Sequence, residues 1–186
     1  MIESYYWREK LREEIRWLRK KQKYKRWSEK QMVLYERKLM LVSFQIRSLL
    51  GHEKIGKAHA TKKLKVKLYK KVGRKSLTKL SYTNYPELFN MSEAQYDLLS
   101  APQICNQLIQ YYLMAALSEE KRGFTTLLVV SVYKRHSCLF EIDISKLIEF
   151  FEFFSKEESR LGKPGTGVRW LWNEKKKDYD LIEFSS

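Results

Sequence analysis

The stretch Thr125-Thr126-Leu127-Leu128-Val129-Val130-Ser131-Val132-Tyr133, then Lys134-Arg135-His136-Ser137, then Cys138-Leu139-Phe140-Glu141-Ile142-Asp143, decides the fold class. The first run is almost entirely β-branched and apolar, which suits a central strand buried on both faces. The polar tetrapeptide turns the chain, and Cys138–Asp143 returns as a second strand. Strands joined by so short a turn pair antiparallel, because a parallel neighbour needs a crossover of about a dozen residues or more.

Reading onward, Ser145–Glu157 is predicted as a helix, with Leu147, Ile148, Phe151 and Phe154 inward and Glu149, Glu152 and Lys156 outward. Asp143 is placed to cap it. Gly162–Gly167 reads as a connector without the spacing of a phosphate-binding P-loop. Val168–Trp172 and Tyr179–Phe184 form a last hairpin.

Reading backward, Ser100 before Ala101-Pro102 opens a helix. Its apolar stripe is Ile104, Leu108, Tyr111 and Ala115, and Gly123 ends it. Ser92 with Gln95 starts a shorter helix, and Asn84-Tyr85-Pro86 marks a boundary. The chain is therefore divided into a basic helical arm plus β-hairpin over 1–82 and an α+β domain over 83–186.

The amino-terminal part starts with a helix over 4–25. Trp7, Leu11, Ile15 and Leu18 share one face, flanked by Arg8, Arg12, Arg16, Arg19, Lys20 and Lys23. A capping box of Ser28 and Gln31 opens a second helix over 29–52. Met32, Tyr35, Leu39, Val42, Ile46 and Leu49 make a heptad seam along it. Val33, Leu34, Met40, Leu41 and Phe44 lie off the seam. A helix apolar on more than one face packs into a core, and the seam also offers a surface to a second copy or another chain. Leu64, Val66 and Leu68 then alternate with Lys63, Lys65 and Lys67, a half-buried strand with lysines on its open face. Val72-Gly73-Arg74-Lys75 turns, and Leu77–Tyr82 returns as its partner in a basic hairpin. The order of elements makes the fold α+β, with a mainly antiparallel sheet rather than a doubly wound parallel one.

Charge separates the two parts. Residues 1–80 carry 25 Lys and Arg against 7 Asp and Glu, whereas residues 81–186 carry 12 against 15. The first part repels itself and attracts polyanions, and such asymmetry points to a partner rather than to a fold, without naming the partner. Cations spaced along one face neutralise successive phosphates and release counterions, which gives affinity independent of sequence. The expected contacts are Arg8, Arg12, Arg16, Arg19, Lys20 and Lys23 on the first helix, and Lys63, Lys65, Lys67, Arg74 and Lys75 on the hairpin. The reading is a noncatalytic nucleic-acid-binding protein, of DNA or RNA, with no cofactor and no metal. Trp7, Trp17 and Trp27 do not share one helical face and are read as core residues. A third reading is an interaction subunit whose basic helices bind an acidic protein.

Arg47-Ser48-Leu49-Leu50-Gly51-His52 has the spacing Arg-x4-His and resembles the signature of HEPN-type ribonucleases. The resemblance covers these six residues. It implies an all-α bundle with the motif paired at a dimer interface. His52 would handle the proton of a ribose 2′-hydroxyl, and Arg47 would stabilise the phosphorane. Other chemistry-bearing residues are scattered. His52 and His59, and His136 and Cys138, lack the further ligands of a zinc site. Glu141 and Asp143 share a strand face, as metal-dependent nuclease carboxylates do, although Asp143 also suits a helix cap.

Cys105 and Cys138 are too few for a disulfide scaffold and read as buried thiols. The first residues lack an apolar signal core, and no apolar run approaches the roughly 20 residues of a membrane span. The expectation is a cytoplasmic protein with no membrane partner.

Overall fold

Period-two alternation sorts the strand residues onto two faces of one sheet, and the long helices cover one of those faces. The computed structural model describes residues 2–51, 61–119, 123–156 and 166–185. Helices α1 (Ile2–Gln22) and α2 (Glu29–Gly51) precede strand β1 (Lys63–Lys70). A 3-10 turn at Tyr82–Asn84 and the single-turn helix α3 (Tyr85–Leu88) lead to β2 (Gln95–Ser100) and α4 (Ala101–Ile109). Strands β3 (Tyr111–Glu119), β4 (Gly123–Ser131) and β5 (Cys138–Asp143) follow, then α5 (Ile144–Ser155). The sheet has the order β2-β1-β5-β4-β3, and every pairing is antiparallel. The fold is α+β, with amino-terminal helices preceding the strands.

The main core lies between the sheet and helices α1, α2, α4 and α5. Leu64, Val66, Leu99, Leu127, Val129, Phe140 and Ile142 meet Leu11, Ile15, Leu18, Tyr35, Leu39, Ile104, Leu108, Leu147 and Phe151 there. Residues on both sides of position 82 contribute to it. A smaller cluster on the opposite face gathers Tyr69, Leu113, Leu128, Val130 and Leu139 beneath Leu77, Leu88 and Phe89. The chain divides into two compact units, Met1–Lys156 and Glu157–Ser186. The second contains the antiparallel hairpin β6 (Thr166–Asn173) and β7 (Asp178–Ser185), in which the Trp172 and Tyr179 rings lie 5.2 Å apart.

Several local signals act as written. Ser28 N donates to Gln31 Oε1 at 3.0 Å and Gln31 N donates to Ser28 Oγ at 3.3 Å, a reciprocal capping box. Asp143 Oδ1 accepts from Lys146 N at 3.0 Å and caps α5. Five of the six α2 seam residues, Tyr35, Leu39, Val42, Ile46 and Leu49, are buried within the chain, so that part of the seam is core. Among the seam and off-seam residues, Met32, Val33, Leu41 and Phe44 are the exposed ones. Glu14, buried on α1, pairs with Lys38 of α2 and ties the two helices together.

Three expectations are corrected. Residues 77–82 are not the partner of β1, because both of its edges are taken by β2 and β5. The segment instead lays Leu77 over the opposite sheet face, and the chain returns beside the end of β1 through a bridge between Lys71 and Phe89 and a hydrogen bond from Asn90 N to the Lys70 carbonyl at 2.9 Å. The short helix from Ser92 is absent: Ser92 Oγ donates to Asn90 Oδ1 at 2.7 Å, and Gln95 begins β2. The helix opened by Ser100 stops at Ile109 rather than near Gly123. Tyr111 and Ala115 belong to β3, which pairs with β4 along most of its length. Tyr111 packs on the main core and Leu113 and Ala115 on the opposite face, across a register shift after Tyr111, and the long ladder with β4 outweighs the local helix preference of Leu113-Met114-Ala115-Ala116.

Candidate nucleic-acid interface

The basic residues divide by what their neighbours leave free. On α1 the apolar stripe of Leu11, Ile15 and Leu18 faces the core. Arg8 is only 5% exposed, so it is removed from the expected contact surface. Arg12 is half-buried, its Nε 3.3 Å from the Arg8 carbonyl to which it donates. Arg16, Lys20 and Lys23 are exposed. Arg19 pairs through Nε with Glu152 Oε1 of α5 at 2.8 Å.

On β1 the alternation turns Lys63, Lys65, Lys67 and Tyr69 away from the main core. In register across the sheet, Tyr96 of β2, Lys67 of β1, Glu141 of β5, Leu128 of β4 and Ala115 of β3 form one row. Glu141 accepts from Lys67 Nζ at 2.8 Å and from Tyr69 Oη at 2.6 Å. The bond to Glu141 raises the Lys67 ammonium above its ordinary value. Burial, assisted by that carboxylate, pushes the Tyr69 phenol up to about 12. In the next row Lys65 faces Leu98, and Lys65 Nζ stands 4.3 Å from the Tyr96 ring centroid.

These residues line a cleft of about 740 Å³. Arg19, Gln22 and Lys23 from the end of α1, Lys65 and Lys67 from β1, and Ser145 and Lys146 from the start of α5 form it with Tyr96, Thr125 and Thr126. Glu119, Glu141 and Asp143 also line it, so its cations are interleaved with carboxylates. Close packing sets one wall. Gly123 has φ +74°, and a Cβ there would lie 2.2 Å from the Gln22 carbonyl oxygen. Gln22 Nε2 also donates to Ser145 Oγ at 2.7 Å, fastening the end of α1 to the start of α5.

Of the expected contacts, the cleft gathers Arg19, Lys23, Lys65 and Lys67. Arg74 and Lys75 are exposed on the loop beyond the carboxy-terminal end of β1 and do not line it. Sequence reasoning missed Tyr96 and Lys146. The alternation of Tyr96 and Leu98 outward against the buried Leu99 was the available signal for Tyr96. Lys146 sits in the first turn of a helix, where a cation opposes the macrodipole and therefore invites another explanation.

The remaining candidates fare differently. Trp17 and Trp27 pack against the core, with Trp27 4.3 Å from Phe124 and 5.4 Å from Tyr35. Trp7 is exposed on α1, so the core reading is corrected for it. Arg47 is exposed on α2, while His52 and His59 lie outside the described residues. The all-α bundle implied by the Arg-x4-His resemblance is not the fold found. His136 Nε2 accepts from Arg135 Nε at 2.8 Å, and Cys105 and Cys138 are buried free thiols. Burial pushes the Cys105 thiol up to about 12. Among the described residues, no cluster of His, Cys, Asp and Glu is placed to hold a metal ion. Among the same residues, no helix is long and apolar enough to cross a membrane. No family model matches the chain, and no curated protein or solved structure matches it significantly.

Proposed function

We propose that the protein is a noncatalytic nucleic-acid-binding protein that holds the phosphate backbone at the cleft between α1, the open face of β1 and the start of α5. The observation that carries this reading is the convergence of Arg19, Lys23, Lys65, Lys67 and Lys146 from three separate elements on one concavity. Carboxylates in and beside the cleft offset part of this charge, and the cations that remain in excess draw a polyanion, which releases its own counterions on binding. Arg16 and Lys20 extend the positive surface along the exposed side of α1. Affinity then comes mainly from the backbone, with modest preference among sequences. A cytoplasmic setting suits the two unpaired thiols.

Fluorescence anisotropy with labelled DNA and RNA oligonucleotides, across several salt concentrations, tests the reading. The logarithm of the association constant should fall linearly with the logarithm of salt. If the protein leaves every oligonucleotide unbound in dilute buffer, the reading is refuted.

A further inference from the structure

We infer that the cleft takes single-stranded nucleic acid and that the Tyr96 ring is a stacking platform for an unpaired base. The inference rests on the binding proposed above and narrows its ligand. Tyr96 is 63% exposed on the sheet face opposite the main core, and Leu98 beside it is 56% exposed. Register places Lys67 directly across from Tyr96, and Lys65 across from Leu98. An aromatic and an aliphatic side chain thus stand next to two lysines, the pairing of base-sized apolar surface with phosphate-sized charge that a single strand requires. The cation–π contact of Lys65 with the Tyr96 ring is of the weak, exposed kind that an incoming base displaces, leaving the ammonium beside the phosphate.

The mixed charge of the cleft points the same way. Glu119 and Asp143 add negative charge to the lining, where Thr125 and Thr126 also stand, and oxygens of these kinds are hydrogen-bond acceptors. Base amino groups donate such bonds, and only an unpaired base presents its pairing edge for them. A surface selected for a duplex backbone alone gains nothing from carboxylates among its lysines. The volume, about 740 Å³, also falls within the range that encloses a small organic group.

The test compares single strands, of both DNA and RNA, with a duplex of the same sequence, using wild type, Tyr96→Leu, Tyr96→Phe and Lys65→Gln. Wild type should prefer the strand. Tyr96→Leu should weaken strand binding roughly five- to a hundredfold and leave the salt slope and duplex binding unchanged. Tyr96→Phe should keep most of the affinity, and thermal denaturation should find both Tyr96 variants folded, because the ring is largely exposed. Equal or tighter duplex binding, or a Tyr96→Leu variant indistinguishable from wild type while Lys65→Gln still weakens binding, overturns the single-strand inference and leaves the polyanion reading intact. Binding of no oligonucleotide at all removes both.

Discussion

Lys67 and Glu141 stand opposite each other in the β1–β5 ladder, with Nζ and Oε1 2.8 Å apart. Glu141 therefore occupies a cation that the cleft would otherwise offer to a ligand. Glu141→Gln keeps the side-chain shape and an acceptor for Tyr69 while removing the charge. It should tighten oligonucleotide binding at low salt and steepen the salt slope by about 0.7–0.9 per additional phosphate neutralised. The cost in stability should stay under about 1 kcal/mol, since the pair is partly solvated. Weaker binding by this variant would place the carboxylate among the ligand contacts instead.

Position relative to the cleft should separate cations that sequence alone treats alike. Lys23→Gln, Lys65→Gln and Lys146→Gln combined should flatten the salt slope by roughly 2–3. Arg74→Gln with Lys75→Gln should leave the slope nearly unchanged, because those side chains are on the loop beyond the other end of β1. Equal losses from the two sets, read by the same anisotropy titrations, would show that overall charge rather than the cleft governs affinity.

Two glycines with positive φ should respond unequally to alanine. Gly73 has φ +63° and nothing within 4 Å of an added Cβ. Gly73→Ala should cost about 1–2 kcal/mol, the strain of a left-handed backbone alone. At Gly123 the same strain adds to a clash with the Gln22 carbonyl and a contact of 3.0 Å with the Lys23 carbonyl carbon. Gly123→Ala should cost about 3 kcal/mol or more and should also loosen the wall of the cleft. Urea denaturation measures both, and comparable losses would contradict the close approach of α1 to β4.

Alkaline pH should destabilise the fold through a small set of groups. Burial raises Tyr35 and, to about 12, Tyr69, and the bond to Glu141 raises Lys67. All three have folded values above their unfolded ones, so their contribution is complete below about pH 10 and lost as pH climbs toward about 12 and beyond. Urea midpoints followed from neutral to strongly alkaline pH should decline through that interval. Tyr69→Phe should decline less steeply than wild type. Identical slopes for the two proteins would remove Tyr69 from the account.

Much of the architecture is written locally. The capping box at Ser28 and Gln31, the Asp143 cap, the stripe of Leu11, Ile15 and Leu18, and the β4–β5 hairpin each depend on residues a few positions apart. Local hydrogen bonds and side-chain periodicity therefore suffice to specify them. The partners of β1 are not local: Leu64 pairs with Leu99, and Lys67 with Glu141. Alternation states that a strand has two faces without stating which strand lies beside it, so 77–82 was as eligible as β2. The turn from α4 to β3 was hidden for a related reason. Ile104, Leu108, Tyr111 and Ala115 fit a helical spacing, and only the ladder with β4 makes the extended form of the last two preferable.

By itself the sequence determined that basic residues crowd the first part of this chain and that its elements build an antiparallel α+β fold. Tertiary structure decided which of those cations lie together. It buried Arg8, tied Arg19 to Glu152 and Lys67 to Glu141, and left Arg74 and Lys75 apart from the cleft. It also brought in Tyr96 and Lys146 from the half whose composition carries no excess of cations. Charge counts add along a chain, whereas recognition depends on distances between side chains, and those are set by strand pairing across long separations in sequence.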